Sequence, residues 1–145
     1  MSHYHKDSVY PVFLEILKLY HYRMHKLLEE INLYAGQPPL LFILNREDGQ
    51  SQKEISEKLN IRPSTLTVML NRMEKGNLVK RKQDLEDQRI SRVYITDVGR
   101  EKCKKANKTM NKIEEEMFGN LTTDEKVILR RLLLVVKDNL KGDKS

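Results

Sequence analysis

The most constraining feature of this sequence is the stretch SQKEISEKLNIRPSTLTVMLNRMEK, residues 51–75, which contains two short helix patterns separated by only a few residues. Ser51 and Glu54 have the spacing of a capping box, so a helix is predicted to start at Ser51. That helix is predicted to end near Asn60, because asparagine tolerates the left-handed backbone of a tight turn. Pro63 suits the first turn of the next helix, which is predicted to run to the end of the stretch. The pattern therefore predicts a helix-turn-helix.

The second of these helices has one apolar face and an opposite face that is polar and nearly free of acid. The polar face and its flanks carry Ser64, Thr65, Thr67, Val68, Asn71, Arg72 and Lys75. Small hydroxyls, an amide, a methyl surface and two basic side chains are the groups that contact phosphates and nucleobase edges in a DNA major groove. An ordinary solvated face is the alternative, but such faces usually mix Glu with Lys, and here the sole acid, Glu74, lies at the far end. The composition favours nucleic-acid contact.

Two segments after this helix have the character of β-strands, and a charged connection joins them. NLVKRK follows Gly76, and in SRVYIT the apolar Val93 and Ile95 alternate with polar neighbours. QDLEDQRI joins the two as a long hairpin tip. Residues 62–92 contain eight basic and four acidic residues, so +4 of the net charge of +6 lies in this segment. A helix-turn-helix followed by a basic hairpin is a winged helix, which reads a major groove and the neighbouring minor groove. Charge that blunts an exposed strand edge is the alternative.

From Leu40 to Lys102 the sequence resembles the multiple-antibiotic-resistance regulator (MarR) family of bacterial transcription factors. The resemblance is carried by PPLL, SQKEISEKL, STLTVMLNRME and, most specifically, DQRISRVYITDVG. Family members have an Asp-x-Arg in the wing, followed by an apolar-Thr pair and a glycine. In this sequence the matching residues are Asp87, Arg89, Ile95, Thr96 and Gly99. The resemblance implies that Arg89 enters the minor groove.

The resemblance also implies that Asp87 positions the neighbouring basic side chains and does not itself contact DNA, because phosphates repel a carboxylate. Arg62 and Arg92 complete the predicted DNA-binding set. Arg62 departs from the family pattern, since Ser, Asp or Thr is common at this helix N-cap and arginine cannot accept the free amides; a phosphate could replace the missing cap. Val68 stands near a position where the family often has arginine, which indicates a methyl contact to thymine instead.

The two ends of the chain consist of long amphipathic helix patterns. One runs from about residue 8 to residue 34, with apolar residues at steps of three and four. A narrow stripe in the C-terminal half comprises Cys103, Ala106, Met110, Ile113 and Met117. A further helix follows the capping-box pair Thr122 and Glu125. This apolar surface is more than the central region can cover, so a two-fold dimer is predicted, which would read half-sites about 10 base pairs or a multiple of that apart. A monomer whose ends pack together is the alternative.

The predicted fold is mainly α with a small β-hairpin wing. Residues 1–145 are expected to form one MarR-like domain, in keeping with the chain length. Within it, residues 38–96 form the winged helix-turn-helix that binds DNA, and residues 8–36 and 97–142 form the flanking dimerisation helices.

The family commonly binds small, often aromatic or phenolic, ligands at the junction between dimer helices and DNA-binding region. The resemblance places Tyr20, Tyr22, Arg23, Tyr34 and Phe42 near that junction, as a regional correspondence. His21 and His25 have the i, i+4 spacing of metal ligands, but no third ligand completes a set, so polar groups on an amphipathic helix are the favoured interpretation. Cys103 is interpreted as a small buried hydrophobe rather than a redox sensor. No metal or cofactor is predicted.

Several classes of protein are disfavoured. A phosphate-binding glycine loop, a nucleophile elbow and paired carboxylates are all missing from the sequence, so no enzyme activity is predicted. Nothing near the N-terminus resembles a signal peptide and no apolar run approaches about 20 residues, so a cytoplasmic protein is expected. The predicted function is a ligand-responsive repressor that binds a pseudo-palindromic operator in double-stranded DNA as a homodimer. A winged-helix docking module, whose basic wing meets an acidic protein, is the alternative.

Overall fold

The computed structural model describes residues 5–142, which form six helices and three short strands. In chain order these are α1 (Val9–Glu29), α2 (Gln37–Arg46), β1 (Gln50–Ser51), α3 (Gln52–Leu59), α4 (Pro63–Lys75), β2 (Val79–Gln83), β3 (Ser91–Ile95), α5 (Asp97–Phe118) and α6 (Thr123–Lys141). The predicted class, mainly α with a hairpin wing, is confirmed. Two compact units are distinguishable, divided between Thr109 and Met110 within α5.

Helix α1 ends five residues earlier than the periodicity predicts. Asn32 adopts a left-handed backbone with φ of 56°, and the N–H groups of both Ile31 and Leu33 donate to the carbonyl of Leu28 at 3.1 and 3.0 Å. These bonds close the helix, because a left-handed residue reverses the chain and satisfies the last carbonyls. Ile31 and Tyr34 therefore lie beyond α1 instead of on its apolar stripe.

The helix-turn-helix forms as the capping residues predict. Ser51 Oγ accepts the Glu54 N–H at 3.1 Å, and Glu54 Oε2 accepts the Ser51 N–H at 3.0 Å, so the capping box at the start of α3 is complete. Asn60 is left-handed with φ of 51°, and Pro63 is the first residue of α4. Leu66 and Leu70 of α4 are fully buried, which confirms the apolar face. The outer face of α4 is thus turned to solvent by its own core packing.

The hairpin is the antiparallel pair β2 and β3, with Val79 opposite Ile95 and Gln83 opposite Ser91. Val93 and Ile95 are buried, as their alternation predicts. The short strand β1 pairs with the other edge of β3, giving the order β1-β3-β2. This third strand was not predicted, because two residues are too few to show a period of two.

The Thr and Gly of the wing motif are required where β3 meets α5. Thr96 Oγ1 donates to the carbonyl of Asn77 at 2.6 Å and accepts the Gly99 N–H at 2.9 Å, so Thr96 caps α5. A Cβ at Gly99 would lie 2.2 Å from the carbonyl oxygen of Leu78. Only glycine permits this close approach of the helix to the chain entering β2.

The unit that begins at Met110 is a helical hairpin formed by the end of α5 and by α6. Its second helix starts with a complete capping box between Thr122 and Glu125, with bonds of 3.2 and 3.0 Å, as predicted. Within this unit Ile113 is buried, whereas Met117 is exposed. None of the residues of α6 is buried within the single chain. Across residues 5–142, no helix combines the length and apolarity needed to cross a membrane.

Candidate nucleic-acid interface

The outer face of α4 presents every residue that the sequence pattern assigned to it. Ser64, Thr65, Thr67, Val68, Asn71, Arg72 and Lys75 are all exposed, as is Arg62 just before the helix. Val68 is 56% exposed, so its methyl groups are available for an apolar contact. Thr67 Oγ1 donates to the carbonyl of Pro63 at 3.0 Å, which commits the hydroxyl hydrogen and leaves its oxygen as an acceptor. The face offers donors, acceptors and methyl groups in an arrangement that suits a major groove.

The N-terminus of α4 lacks a protein cap. Arg62 has an extended backbone and makes no side-chain capping bond, and the first turn contains no acid. The first amides of a helix need acceptors, and the helix dipole gives this end a partial positive charge. An anion such as a DNA phosphate would satisfy both requirements.

The wing tip holds its arginine with a carboxylate. Asp87 Oδ1 accepts both the backbone N–H and Nε–H of Arg89 at 3.0 Å, and Asp87 Oδ2 accepts from Nη2 at 3.0 Å. The Arg89 hydrogen bond lowers the pKa of Asp87, and the same bond raises the pKa of Arg89. The Arg89 side chain is 89% exposed, against 33% for Asp87. The acid therefore orients an arginine that stays in solvent.

A second carboxylate, Asp84, organises the base of the tip. Asp84 accepts from the N–H groups of Glu86 and Asp87 at 3.1 and 3.0 Å and from Arg92 Nε at 2.6 Å. These contacts lower the pKa of Asp84, the Arg92 hydrogen bond having the largest effect. Sequence reasoning did not single out Asp84, although its position one residue after the β2 pattern was a usable signal, since Asp commonly bonds backbone amides at the start of a turn.

Arg92 was predicted to contact DNA, but its guanidinium is engaged within the fold. Besides its bond to Asp84, Arg92 Nη1 donates to the carbonyl of Gly49 at 3.1 Å. This contact ties the hairpin to the turn before β1, where Gly49 has a positive φ of 72°. The geometry supports a structural role for Arg92, and its contact with DNA stays a prediction.

Arg81 joins the wing to α4 and was also missed by the sequence reasoning. Its Nε forms an ion pair with Glu74, and its Nη2 donates to Asn71 Oδ1 at 2.6 Å. Arg81 lies opposite Val93 in the β-ladder, and cross-strand partners share a face of the sheet. The usable signal was the alternation Val79-Lys80-Arg81, which places Arg81 on the same face as a buried valine.

The residues predicted near a ligand site are distributed over several environments. The Arg72 guanidinium lies 5.6 Å from the centre of the Tyr34 ring, which joins a predicted ligand residue to a predicted DNA-contacting one. Tyr22 lies in α1 beneath Lys26 at 5.9 Å. Tyr20 contacts His21 edge to face, with ring centres 5.7 Å apart. Arg23 is half-buried in α1.

Phe42 lines a different space from the tyrosines. It borders a cavity of about 280 Å³ with Ile43, Arg46, Glu47, Gln50 and Lys58. No predicted tyrosine lines this cavity, so the structure does not bring the five residues into one site there. The ligand-binding set remains a prediction.

Cys103 is buried, and His25 lies beside a carboxylate of its own helix. Cys103 is 1% exposed, and burial raises the pKa of its thiol, which disfavours the reactive thiolate. His25 Nε2 lies 3.2 Å from Glu29 Oε1, one helical turn away. Among residues 5–142, no group of three or more His, Cys, Asp or Glu residues is arranged to hold a metal ion.

Comparison with known proteins gives an independent view of the chain. A family model described as MarR family matches residues 33–91. The uncharacterized HTH-type transcriptional regulator YdgJ of Bacillus subtilis is 32% identical over 103 residues, which cover 71% of this chain and 63% of YdgJ, so the match spans slightly less than two thirds of that relative. The HTH-type transcriptional repressor IacR of Pseudomonas putida is 32% identical over 122 residues, covering 84% of this chain and 73% of IacR.

A solved structure of a regulator has the same fold as this chain. A crystal structure of a MarR-like transcription regulator from Bacillus cereus ATCC 10987 superposes with a TM-score of 0.76 at 27% identity. The superposition covers 90% of this chain and 96% of that one. The similarity therefore extends well beyond the helix-turn-helix, into both flanking segments.

Proposed function

The chain belongs to the MarR family of transcriptional regulators, and we propose that it is a repressor that binds a pseudo-palindromic DNA operator as a homodimer. The observation that carries this proposal is the exposed, acid-poor outer face of α4, flanked by a wing that displays Arg89 in solvent. Arg81 joins the two elements, so helix and wing act on DNA as one surface. In this arrangement α4 enters the major groove and Arg89 the neighbouring minor groove.

The contacts are proposed to divide by chemistry. Ser64, Thr65 and the uncapped start of α4 beside Arg62 bind phosphates, whereas Val68 and Asn71 contact base edges. Arg72 and Lys75 occupy the last turn of α4, where they are exposed and strengthen the positive field. Phosphate contacts of this kind supply affinity that falls with salt, and base contacts supply the choice of sequence.

Dimerisation is supported by the apolar side chains that a single chain leaves in solvent. Helix α1 exposes Val9, Val12, Leu14, Ile16, Leu17 and Leu19. Helix α6 exposes Val127, Ile128, Leu132, Leu133, Val135, Val136 and Leu140, and with the end of α5 it forms a groove of about 420 Å³ lined by Phe118 and Leu129. A second copy would remove these faces from water and set two α4 helices at the spacing of two half-sites. The name of IacR, a repressor, supports the direction of regulation.

We further propose that a small aromatic or phenolic effector binds near the end of α1 and the start of α2. The supporting contact is that between Tyr34 and Arg72, because a ligand that stacks on Tyr34 would compete with a side chain of α4. The effector need only bind one state of the dimer more tightly than the other to shift operator affinity. We expect the effector to lower the operator affinity of the wild type and to leave that of Tyr34→Ala unchanged.

The decisive experiment is the selection of bound duplexes from a random pool by the purified protein near physiological salt. The proposal expects a pseudo-palindrome whose half-sites lie about 10 base pairs apart or a multiple of that. Recovery of no shared sequence, with binding that vanishes as salt rises, would contradict it and leave only a basic surface suited to docking on an acidic protein.

A further inference from the structure

Asn71 lies on the outer face of α4, and its carboxamide is held in one orientation. Its Oδ1 accepts from Arg81 Nη2 at 2.6 Å. A guanidinium has five donors and no acceptor, so only the oxygen of the amide can face it. The donors of Arg81 therefore determine which way the amide of Asn71 points. The NH₂ group of Asn71 is left for an outside partner.

Arg81 is itself anchored, which makes this orientation persistent. Its Nε pairs with Glu74, which lies three residues after Asn71 and so on the same side of α4. Its backbone belongs to the β2 ladder, and its side chain is only 25% exposed. Charge-assisted bonds of this kind are stronger than neutral ones. The guanidinium of Arg81 is thus held by the pairing of its strand, by the ion pair with Glu74 and by the hydrogen bond to Asn71.

The orientation matters because asparagine reads two bases differently. Adenine offers the N7 acceptor beside the N6 amino donor, and asparagine normally binds both, with its NH₂ and its oxygen. Here one lone pair of the oxygen already accepts from Arg81, and the positive charge of the guanidinium disfavours a second donor, the adenine amino group, at the other lone pair. Guanine offers two acceptors, N7 and O6, which suit a side chain that can only donate.

We propose that Arg81 is a specificity-determining residue, which occupies Asn71 Oδ1 and so makes Asn71 a donor-only reader that selects guanine over adenine. Arg81 acts here as a positioning residue and need not touch DNA. This inference rests on the proposed function, because it requires α4 to lie in the major groove of a specific operator.

The test begins by finding which base pair Asn71 reads. Duplex selection with the wild type and with Asn71→Ala identifies it as the position whose preference is lost in the variant. At that position the wild type is expected to favour guanine over adenine by about tenfold, the scale of one good base contact. Arg81→Met keeps the apolar stem and removes the donors, so the preference should fall to roughly twofold or reverse toward adenine, with other positions unchanged.

Lys80→Met is the matched control for the loss of one charge from the hairpin. Lys80 precedes Arg81 in β2, and its side chain points to the opposite face of the sheet. This variant should weaken binding to all sequences alike and leave the guanine preference intact. In the double variant Asn71→Ala/Arg81→Met, the base preferences should match those of Asn71→Ala alone, because the two residues act through one contact.

The outcomes separate the inference from the function on which it rests. A wild type that selects no shared sequence refutes the proposed function. A wild type with a clear operator refutes only the inference if it prefers adenine at the Asn71 position, or if Arg81→Met leaves that preference unchanged. If Arg81→Met does not fold, Glu74→Gln removes the anchoring ion pair instead, and it should weaken the guanine preference in the same direction; no change would overturn the inference.

Discussion

At the residue scale, two of the three acids of the wing tip, Asp84 and Asp87, each pair with an arginine. Asp87 makes three hydrogen bonds to Arg89, and the arginine side chain remains exposed. An exposed guanidinium held at a hairpin tip suits insertion into a narrow minor groove, because it loses less side-chain entropy on binding than an unrestrained arginine would. Arg89→Ala is therefore expected to weaken operator binding by about 1–3 kcal/mol, measured by fluorescence anisotropy at fixed salt.

The control for this prediction is Gln88→Ala, since Gln88 is the exposed neighbour of Arg89 in the same tip. It should leave operator affinity within about 0.5 kcal/mol of the wild type. The dimer should persist in both variants, because the tip lies far in sequence from the apolar faces of α1 and α6. Equal losses in the two variants would mean that the tip, and not the arginine, is what binding requires.

The ionised carboxylate of Asp84 holds the wing tip in place, so the stability of the tip should depend on pH. Its pKa is lowered by Arg92 and by two backbone amides, so the ionised form is favoured in the folded wing. This contribution is fully present above the ordinary Asp pKa of about 4 and is lost as the pH falls through the lower folded value. The protection of the Glu86 and Asp87 amides, measured as their hydrogen exchange relative to the intrinsic rate at the same pH, should therefore fall under acid conditions.

Asp84→Asn is the variant that isolates this effect. It cannot ionise, so these amides should be less protected near neutral pH, and their protection should no longer follow the titration of residue 84. Asp124→Asn, which changes an exposed acid at the start of α6, should leave the wing amides as they are in the wild type. A wild-type wing whose protection is constant down to pH 2 would contradict the role given to Asp84.

At the element scale, α4 lacks a stabilising side-chain cap at the end that is proposed to bind phosphate. Arg62 leaves the helix without a cap, whereas α3 and α6 both begin with complete capping boxes. Arg62→Ser should add a cap and raise the free energy of unfolding by about 1 kcal/mol in denaturant titrations. The same change removes a positive charge from the end that is proposed to bind phosphate, so operator affinity should fall.

The test is whether Arg62→Ser raises the free energy of unfolding and at the same time lowers operator affinity. Lys53→Ser, at an exposed basic position in the first turn of α3, is the control and should leave stability within about 0.5 kcal/mol and affect operator binding little. If Arg62→Ser stabilised the protein and also left operator binding unchanged, the uncapped end of α4 would have no part in the interface.

The elements that could be predicted from the sequence are those specified by local chemistry. Both capping boxes, the left-handed Asn60 and the alternation of Val93 and Ile95 act within a few residues, so their outcome is readable in the chain itself. The premature end of α1 is a different case, because asparagine adopts the left-handed region only at some sites, and apolar periodicity continued past Asn32.

The contacts within the candidate site depended on tertiary register. Arg92 and Arg89 are similar residues three positions apart in the sequence, yet Arg92 bonds the carbonyl of Gly49, 43 residues away, while Arg89 stays exposed. Arg81 reaches Asn71 only because β2 pairs with β3 in a register that turns it toward α4. Charge counting identified the basic segment but could not show which of its arginines were already bound.

At the scale of the whole molecule, we expect the exposed apolar residues of α6 to determine whether the protein is a dimer. Every residue of this helix is at least partly in solvent, and Leu133 is 43% exposed although it lines the groove beside α5. Leu133→Glu should therefore leave the helical hairpin folded, as judged by circular dichroism, while placing a charge in the proposed dimer interface. Sedimentation should change from twice the 17.1 kDa chain mass toward the mass of one chain.

Gln88→Glu is the matched control, because it adds the same carboxylate at an exposed position of the wing, outside the apolar faces of α1 and α6. It should remain dimeric. The loss of the dimer should also weaken operator binding far more than a single half-site substitution does, since the second half-site is bound at the high effective concentration that the first provides. A Leu133→Glu protein that was monomeric yet bound the operator with wild-type affinity would show that one winged helix reads the DNA alone.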